Sequence, residues 1–158
     1  MVAIRAVALD VDGVLTDGGF FWGPSGEEFK RFSFADVMGI SLARKAGLIV
    51  ALISGEDSPL VDRYAKKLGI GDVIKNCKDK GAALAEIAVR HGLSKAEICF
   101  MGDDVNDLAA MDFAGLAAAP ADARPVVRAR AAFVATAFGG NGAVRELLDA
   151  ILAAKSAG

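Results

Sequence analysis

Apolar residues in this chain fall into two patterns that alternate along its length. Short unbroken runs read as strands buried on both faces, and stretches with apolar positions three or four apart read as helices. AIRAVALD (residues 3–10) predicts the first strand. Residues 18–33 predict a hairpin, with aromatics flanking a GPSG turn that contains Pro24 and Gly26. Residues 36–46 carry apolar side chains at Val37, Ile40, Leu42 and Ala43 and predict a helix closed by Gly47. LIVALIS (48–54) is a second buried strand. Residues 58–68 suit a helix with Ser58 as N-cap, Pro59 in its first position and Gly69 at its end. DVI (72–74) predicts a third, very short strand, and residues 79–91 a helix followed by Gly92. EICFMG (97–102) is the next buried strand, NDLAAMDFA a helix and GLAAAP a weak strand. ADARPVVRAR (121–130) reads as a helical segment interrupted by Pro125, AAFVA as a last short strand, and residues 141–154 as a closing helix.

Strands that are apolar throughout and alternate with helices indicate an α/β fold, a Rossmann-like parallel sheet with helices on both faces. The 158 residues suit a single domain. In such sheets ligands bind beyond the carboxyl ends of the strands. The first strand ends in Asp10, the second in Ser54-Gly55, and the ICFMG strand in Asp103-Asp104. Three strand ends therefore deliver polar groups to one edge.

Composition narrows the chemistry. A hydrophobic fraction of 54% argues for a packed core. The net charge is −2, from 18 basic and 20 acidic residues, and no basic stripe appears. Binding to nucleic acid or a membrane surface has no electrostatic footing, so a phosphate ligand needs a local site. Cys77 and Cys99 are too few for a disulfide framework and lack zinc spacing. No signal-peptide pattern is read at the N-terminus, and no apolar stretch approaches the ~20 residues that span a membrane. The expected compartment is the cytoplasm.

One aspartate at a strand end is an ordinary turn or cap residue. Asp10, Asp12, Asp103, Asp104 and Asp107 converging in one cleft would repel one another strongly unless a cation lay among them. Hard oxygen donors with no histidine or cysteine nearby suit magnesium, which usually accompanies a phosphorylated substrate. Ser54 offers a hydroxyl, Gly55 a close backbone N–H, and Lys80 a point charge at the start of a helix. Other templates fail. DVDGVLTDGG lacks the spacing of a calcium loop, no phosphate-loop GxxxxGK[ST] is present, and GIGDVI lacks the third glycine of a dinucleotide site. The single histidine, His91, reads as a helix C-terminal residue, so no histidine-based triad is expected.

DVDGVLTDG, ISG, Lys80 and GDDVND, in this order, resemble the four motifs of the haloacid dehalogenase superfamily. The resemblance runs through nearly the whole chain. It implies a phosphatase that works through an aspartyl-phosphate, with Asp10 as nucleophile and Asp12 as general acid and base. It implies magnesium held by the Asp10 carboxylate, the Asp12 backbone carbonyl and Asp103. Ser54, Gly55 and Lys80 would hold the phosphoryl oxygens, Asp104 and Asp107 would support the metal shell and Lys80, and Asn106 would shape the loop.

The intervals between Asp12 and Ser54 and between Ser54 and Lys80 hold 41 and 25 residues, too few for a cap domain. The chain therefore resembles the superfamily's capless branch, whose members act on 3-deoxy-octulosonate 8-phosphate or on nonulosonate 9-phosphates. LTDGGFFW, EEFKRFSFADVMGI and GGNGAVRELLDAIL resemble segments of that branch. The resemblance implies a homotetramer packed through the 18–33 hairpin, and Phe20, Phe21 and Trp22 suit such an interface. Octulosonate phosphatases usually carry arginine after the second motif, whereas this chain has Glu56, with Lys67 on the next helix. That combination leans toward the nonulosonate members, although Tyr64 stands where they have a basic residue. Glu56 and Lys67 are the expected specificity residues, Lys67 being offered by a neighbouring subunit. The same domain also occurs as an assembly module fused to acylneuraminate cytidylyltransferases, but retention of Asp10, Asp12 and Asp103 speaks for catalysis.

Overall fold

The computed structural model describes residues 1–157. Six strands form one parallel sheet: β1 (Ala6–Leu9), β4 (Ile49–Ile53), β5 (Asp72–Ile74), β6 (Ile98–Met101), β7 (Leu116–Ala119) and β8 (Phe133–Val134). Their order is β5-β4-β1-β6-β7-β8. A separate antiparallel pair, β2 (Phe21–Trp22) and β3 (Glu28–Phe29), forms the hairpin. The helices are α1 (Phe34–Lys45), α2 (Pro59–Leu68), α3 (Lys80–His91), α4 (Leu108–Phe113), α5 (Pro125–Arg130) and α6 (Ala143–Ala157). None of the helices is long and apolar enough to cross a membrane among the described residues.

The sheet explains why its strands are apolar throughout. Side chains alternate between faces. Val7, Leu9, Val50, Leu52, Cys99 and Met101 join one core with residues of α1, α2 and α6, such as Ile40, Val61 and Leu147. Ala6, Ala8, Ala51, Ile53, Ile98 and Phe100 join the other with Leu84 and Ile87 of α3, Met111 of α4 and Val127 of α5. Each large aliphatic side chain buried in this way contributes roughly 1.5–3 kcal/mol.

Local signals set the boundaries. The Ser58 hydroxyl accepts the Leu60 N–H at the head of α2, and Asp79 accepts the Ala82 N–H at the head of α3. α1 begins at Phe34, two residues earlier than the apolar pattern suggests. Pro125 does not interrupt a helix. It opens α5, because its missing N–H costs nothing at the first helical position. The NDLAAMDFA segment divides into a 3₁₀ turn (Val105–Asp107) and α4.

Chain order reverses at β1. The path runs outward from β1 through β4 to β5, then returns to β6 on the opposite side of β1. The crevice beyond such a reversal is where parallel sheets bind ligands. Asp10, Ser54 and Gly102-Asp103 all follow strand ends there.

Candidate active site

The centre of the site is a buried charge cluster. The Lys80 ammonium lies 2.6 Å from Asp10 Oδ1 and 2.6 Å from Asp107 Oδ1. All three residues are buried. Asp10 is fixed by its own backbone N–H, which donates to the Met101 carbonyl at 3.0 Å. Asp107 uses its second oxygen to accept the N–H groups of Asp103 (2.9 Å) and Asp104 (3.2 Å). Both Asp107 oxygens are thus engaged, so Asp107 supports Lys80 and the acidic loop from behind.

The electrostatics follow from crowding. Burial, then repulsion from Asp107, pushes the Asp10 carboxyl well above the usual carboxylate range, against the opposing pull of Lys80. Burial and Asp107 likewise push Asp103 up to about 6. Burial works against the charge on Lys80, but Asp10 and Asp107 outweigh it and raise its pKa. Carboxylate oxygens of Asp10, Asp103 and Asp107 lie within 4.8 Å of one another. Hard oxygen donors held this close, with Asp10 and Asp103 raised by burial and by the neighbouring acid, fit a divalent cation of the magnesium class.

The loop after β1 carries Asp12 and is held from two sides. The Thr16 hydroxyl accepts the N–H groups of Gly13 (3.3 Å) and Gly18 (3.2 Å). Gly13 has φ +91°, and a Cβ there would overlap the Asp103 carboxylate. Glycine is therefore what lets Asp103 approach the loop. From the other side, the Gly140 N–H donates to the Val14 carbonyl at 2.9 Å. A Cβ on Gly139 would overlap the Gly13 carbonyl. The GGNG segment thus clamps the loop that carries Asp12.

These groups line a cavity of about 670 Å³. Of the expected site residues, Asp10, Asp12, Gly55, Glu56 and Lys80 reach it, as do Asp103, Asp104 and Asn106. Ser54 is buried just behind, where its hydroxyl oxygen accepts the Glu56 N–H at 3.1 Å and keeps its own proton to donate. Lys67 does not reach this cavity. It lies on a second groove of about 410 Å³ with Lys30, Phe32, Tyr64 and others, and among the described residues it forms no ion pair with Glu56. Tyr64 stacks on Phe32, with ring centroids 4.4 Å apart. Its buried hydroxyl has no hydrogen-bond partner among the described residues, and burial, then Asp36, raises its pKa.

Sequence reasoning missed two cations and understated the hairpin. Lys30 places its ammonium 2.7 Å from Asp12 Oδ1, with its side chain 2% exposed. Phe20, Trp22 and Glu28 line the cavity with it, so the hairpin is a wall of the site. The alternation of Glu28 and Lys30 was the available signal, since alternate strand residues share a face. Arg124 also lines the cavity, from the loop beyond β7. The strand-end rule, extended to β7, would have found it.

The profile of the haloacid dehalogenase-like hydrolase family matches residues 56–147. The 3-deoxy-D-manno-octulosonate 8-phosphate phosphatase KdsC of Escherichia coli K12 is 38% identical over 152 residues, covering 96% of this chain and 81% of the relative. The Yersinia pestis enzyme of the same name is 37% identical over the same shares. Among solved structures, the Moraxella catarrhalis octulosonate phosphatase, in complex with magnesium, phosphate and KDO, superposes with a TM-score of 0.96 at 37% identity. It covers 98% of this chain and 89% of that one. The cobalt-bound Haemophilus influenzae phosphatase gives 0.94 at 36% identity, covering 98% and 90%.

Proposed function

The chain belongs to the haloacid dehalogenase-like hydrolases, and we propose that it is a magnesium-dependent phosphatase that removes the terminal phosphate of a 2-keto-3-deoxy sugar acid. The eight-carbon substrate, 3-deoxy-D-manno-octulosonate 8-phosphate, has the stronger support, because the relatives above carry that name. One observation carries the chemistry: a buried carboxylate, Asp10, faces an open cavity while held by a buried lysine, with a second acidic loop beside it.

Asp10 attacks phosphorus in line, and the bond from phosphorus to the sugar oxygen breaks. Asp12 gives its proton to the departing oxygen. Asp12 then takes a proton from water as that water attacks the aspartyl-phosphate, which frees inorganic phosphate and restores Asp10. Lys80, the Ser54 hydroxyl and the Gly55 N–H hold the phosphoryl oxygens. Asp10, Asp103 and the Asp12 carbonyl would hold magnesium, which would supply the charge neutralisation that phosphoryl transfer needs most. Asp104 and Asn106 complete the acidic loop. Dividing the transfer into two displacements on one carboxylate makes each easier than direct hydrolysis.

A nine-carbon nonulosonate 9-phosphate is the second reading. Its support is Glu56, which lines the cavity directly after the phosphate loop, where it can accept hydroxyl protons. Lys67 meets a substrate only if a second copy of the chain brings it there, which accords with a homotetramer formed through the exposed hairpin aromatics. A reading as a non-catalytic assembly module has no support in a site that retains Asp10, Asp12 and Asp103.

The deciding experiment compares kcat/KM across eight- and nine-carbon 2-keto-3-deoxy sugar acid phosphates, a neutral ketose phosphate and an aryl phosphate, with magnesium. The octulosonate phosphate should lead by at least tenfold over the neutral sugar. Equal rates on all four would overturn the sugar-acid reading.

A further inference from the structure

Eight carboxylates line the cavity: Asp10, Asp12, Asp17, Glu28, Glu56, Asp103, Asp104 and Asp122. Three cations face them, and two are already spent. Lys80 is buried between Asp10 and Asp107, and Lys30 is buried against Asp12, with Glu28 at 3.7 Å. The third is Arg124. Its side chain is 68% exposed, and among the described residues its one ion pair is a long contact from Nε to Asp104 Oδ2 at 3.4 Å. Among those residues both terminal guanidinium nitrogens are left for a ligand.

The arginine is nevertheless well placed by its backbone. The Arg124 N–H donates to the Asp103 carbonyl at 2.9 Å, which ties it to the acidic loop. Pro125 then starts α5 and fixes the direction of the chain. The backbone of Arg124 is therefore anchored beside the Asp103-Asp104 loop at the cavity wall. Phe20 and Trp22 contribute the apolar part of the lining, on which the carbon faces of a sugar can rest.

A sugar acid phosphate carries two anionic ends. The phosphate end has Lys80, Ser54, Gly55 and the cation. A carboxylate elsewhere in the cavity shares that lining with Asp17, Glu28, Glu56 and Asp122, all of which repel an anion. The geometry points to Arg124 as the specificity-determining residue that receives the substrate's carboxylate. This assignment rests on the sugar-acid reading above. The planar guanidinium matches a carboxylate in a two-point contact, which a lysine cannot reproduce. It also supplies, from within one chain, a group that Lys67 could supply only from another.

The test measures one ratio: kcat/KM for 3-deoxy-octulosonate 8-phosphate divided by kcat/KM for a neutral ketose phosphate. In Arg124→Gln the ratio should fall on the order of tenfold or more, as expected for loss of a charge-assisted contact. The loss should appear mainly in KM for the acid. Arg124→Lys should restore part of the ratio, which shows that the site is intact. A ratio that stays at the wild-type value in Arg124→Gln, whether or not both rates fall together, overturns the assignment. So does a fall confined to Lys67→Ala. If the wild-type protein itself shows no preference for the acid, the sugar-acid reading fails, a result separable from failure of Arg124 alone.

Discussion

Lys30 brings its ammonium to 2.7 Å from the carboxylate assigned as general acid, and its stem is buried. A buried cation with one close partner fixes where that partner points, and removing it leaves an uncompensated charge. Lys30→Met should therefore lower kcat/KM about tenfold or more on an alkyl phosphate. The loss should be smaller on an aryl phosphate, whose leaving oxygen needs little protonation. Lys30→Arg should recover part of it. Equal losses on both substrates would assign Lys30 to the fold of the hairpin instead. Lys30 also marks the limit of what single residues reveal in sequence. Asp10, Asp12, Ser54, Lys80 and Asp103 were legible because each follows a strand end or begins a helix. Lys30 and Arg124 reach the cavity from a hairpin and a loop, whose paths depend on tertiary packing. Lys67 was legible as a cation on α2 but not as one that lines a different groove.

At the scale of elements, the alternation of apolar runs and helical periods gave the sheet and its helices, because burial on both faces leaves no polar position in β1, β4 or β6. It could not give the role of the GGNG segment, which contacts the loop at Gly13 over a long sequence separation. Gly139→Ala should cost about 1–3 kcal/mol through overpacking. It should also lower kcat, because the displaced neighbour is the loop that carries Asp12. Gly71, where a Cβ would meet nothing within 4 Å, is the control: Gly71→Ala should leave both thermal midpoint and kcat near wild type. A second element-scale device joins the sheet to its edge loops. Glu97 accepts the backbone and hydroxyl protons of Ser94 and pairs with Arg5, which lowers its pKa to about 2 from the usual 4.5. A depressed carboxylate stabilises the fold above its unfolded pKa and loses that contribution as pH falls through the folded value. Glu97→Gln should thus be less stable than wild type at neutral pH, and the gap should close between about pH 4.5 and 2. Denaturant midpoints measured across that range check it, and a gap independent of pH would refute it.

For the molecule as a whole, the hairpin leaves Phe21 and Phe29 paired and exposed outside the cavity. A tetramer built on them should give monomers when both become aspartate. Sedimentation of wild type as a fully active monomer would contradict that assembly. The proposed chemistry requires Asp10 to act as a nucleophile beside a divalent cation. The most direct measurement is acid-quenched turnover of sugar acid labelled in its phosphate, with magnesium, in wild type and Asp10→Asn. The wild-type chain should carry label on the peptide containing Asp10. The variant should carry none there and lose at least ~10³-fold in kcat, and chelation of magnesium should abolish turnover in wild type. Turnover at the wild-type rate in Asp10→Asn, or in chelator, would contradict the account.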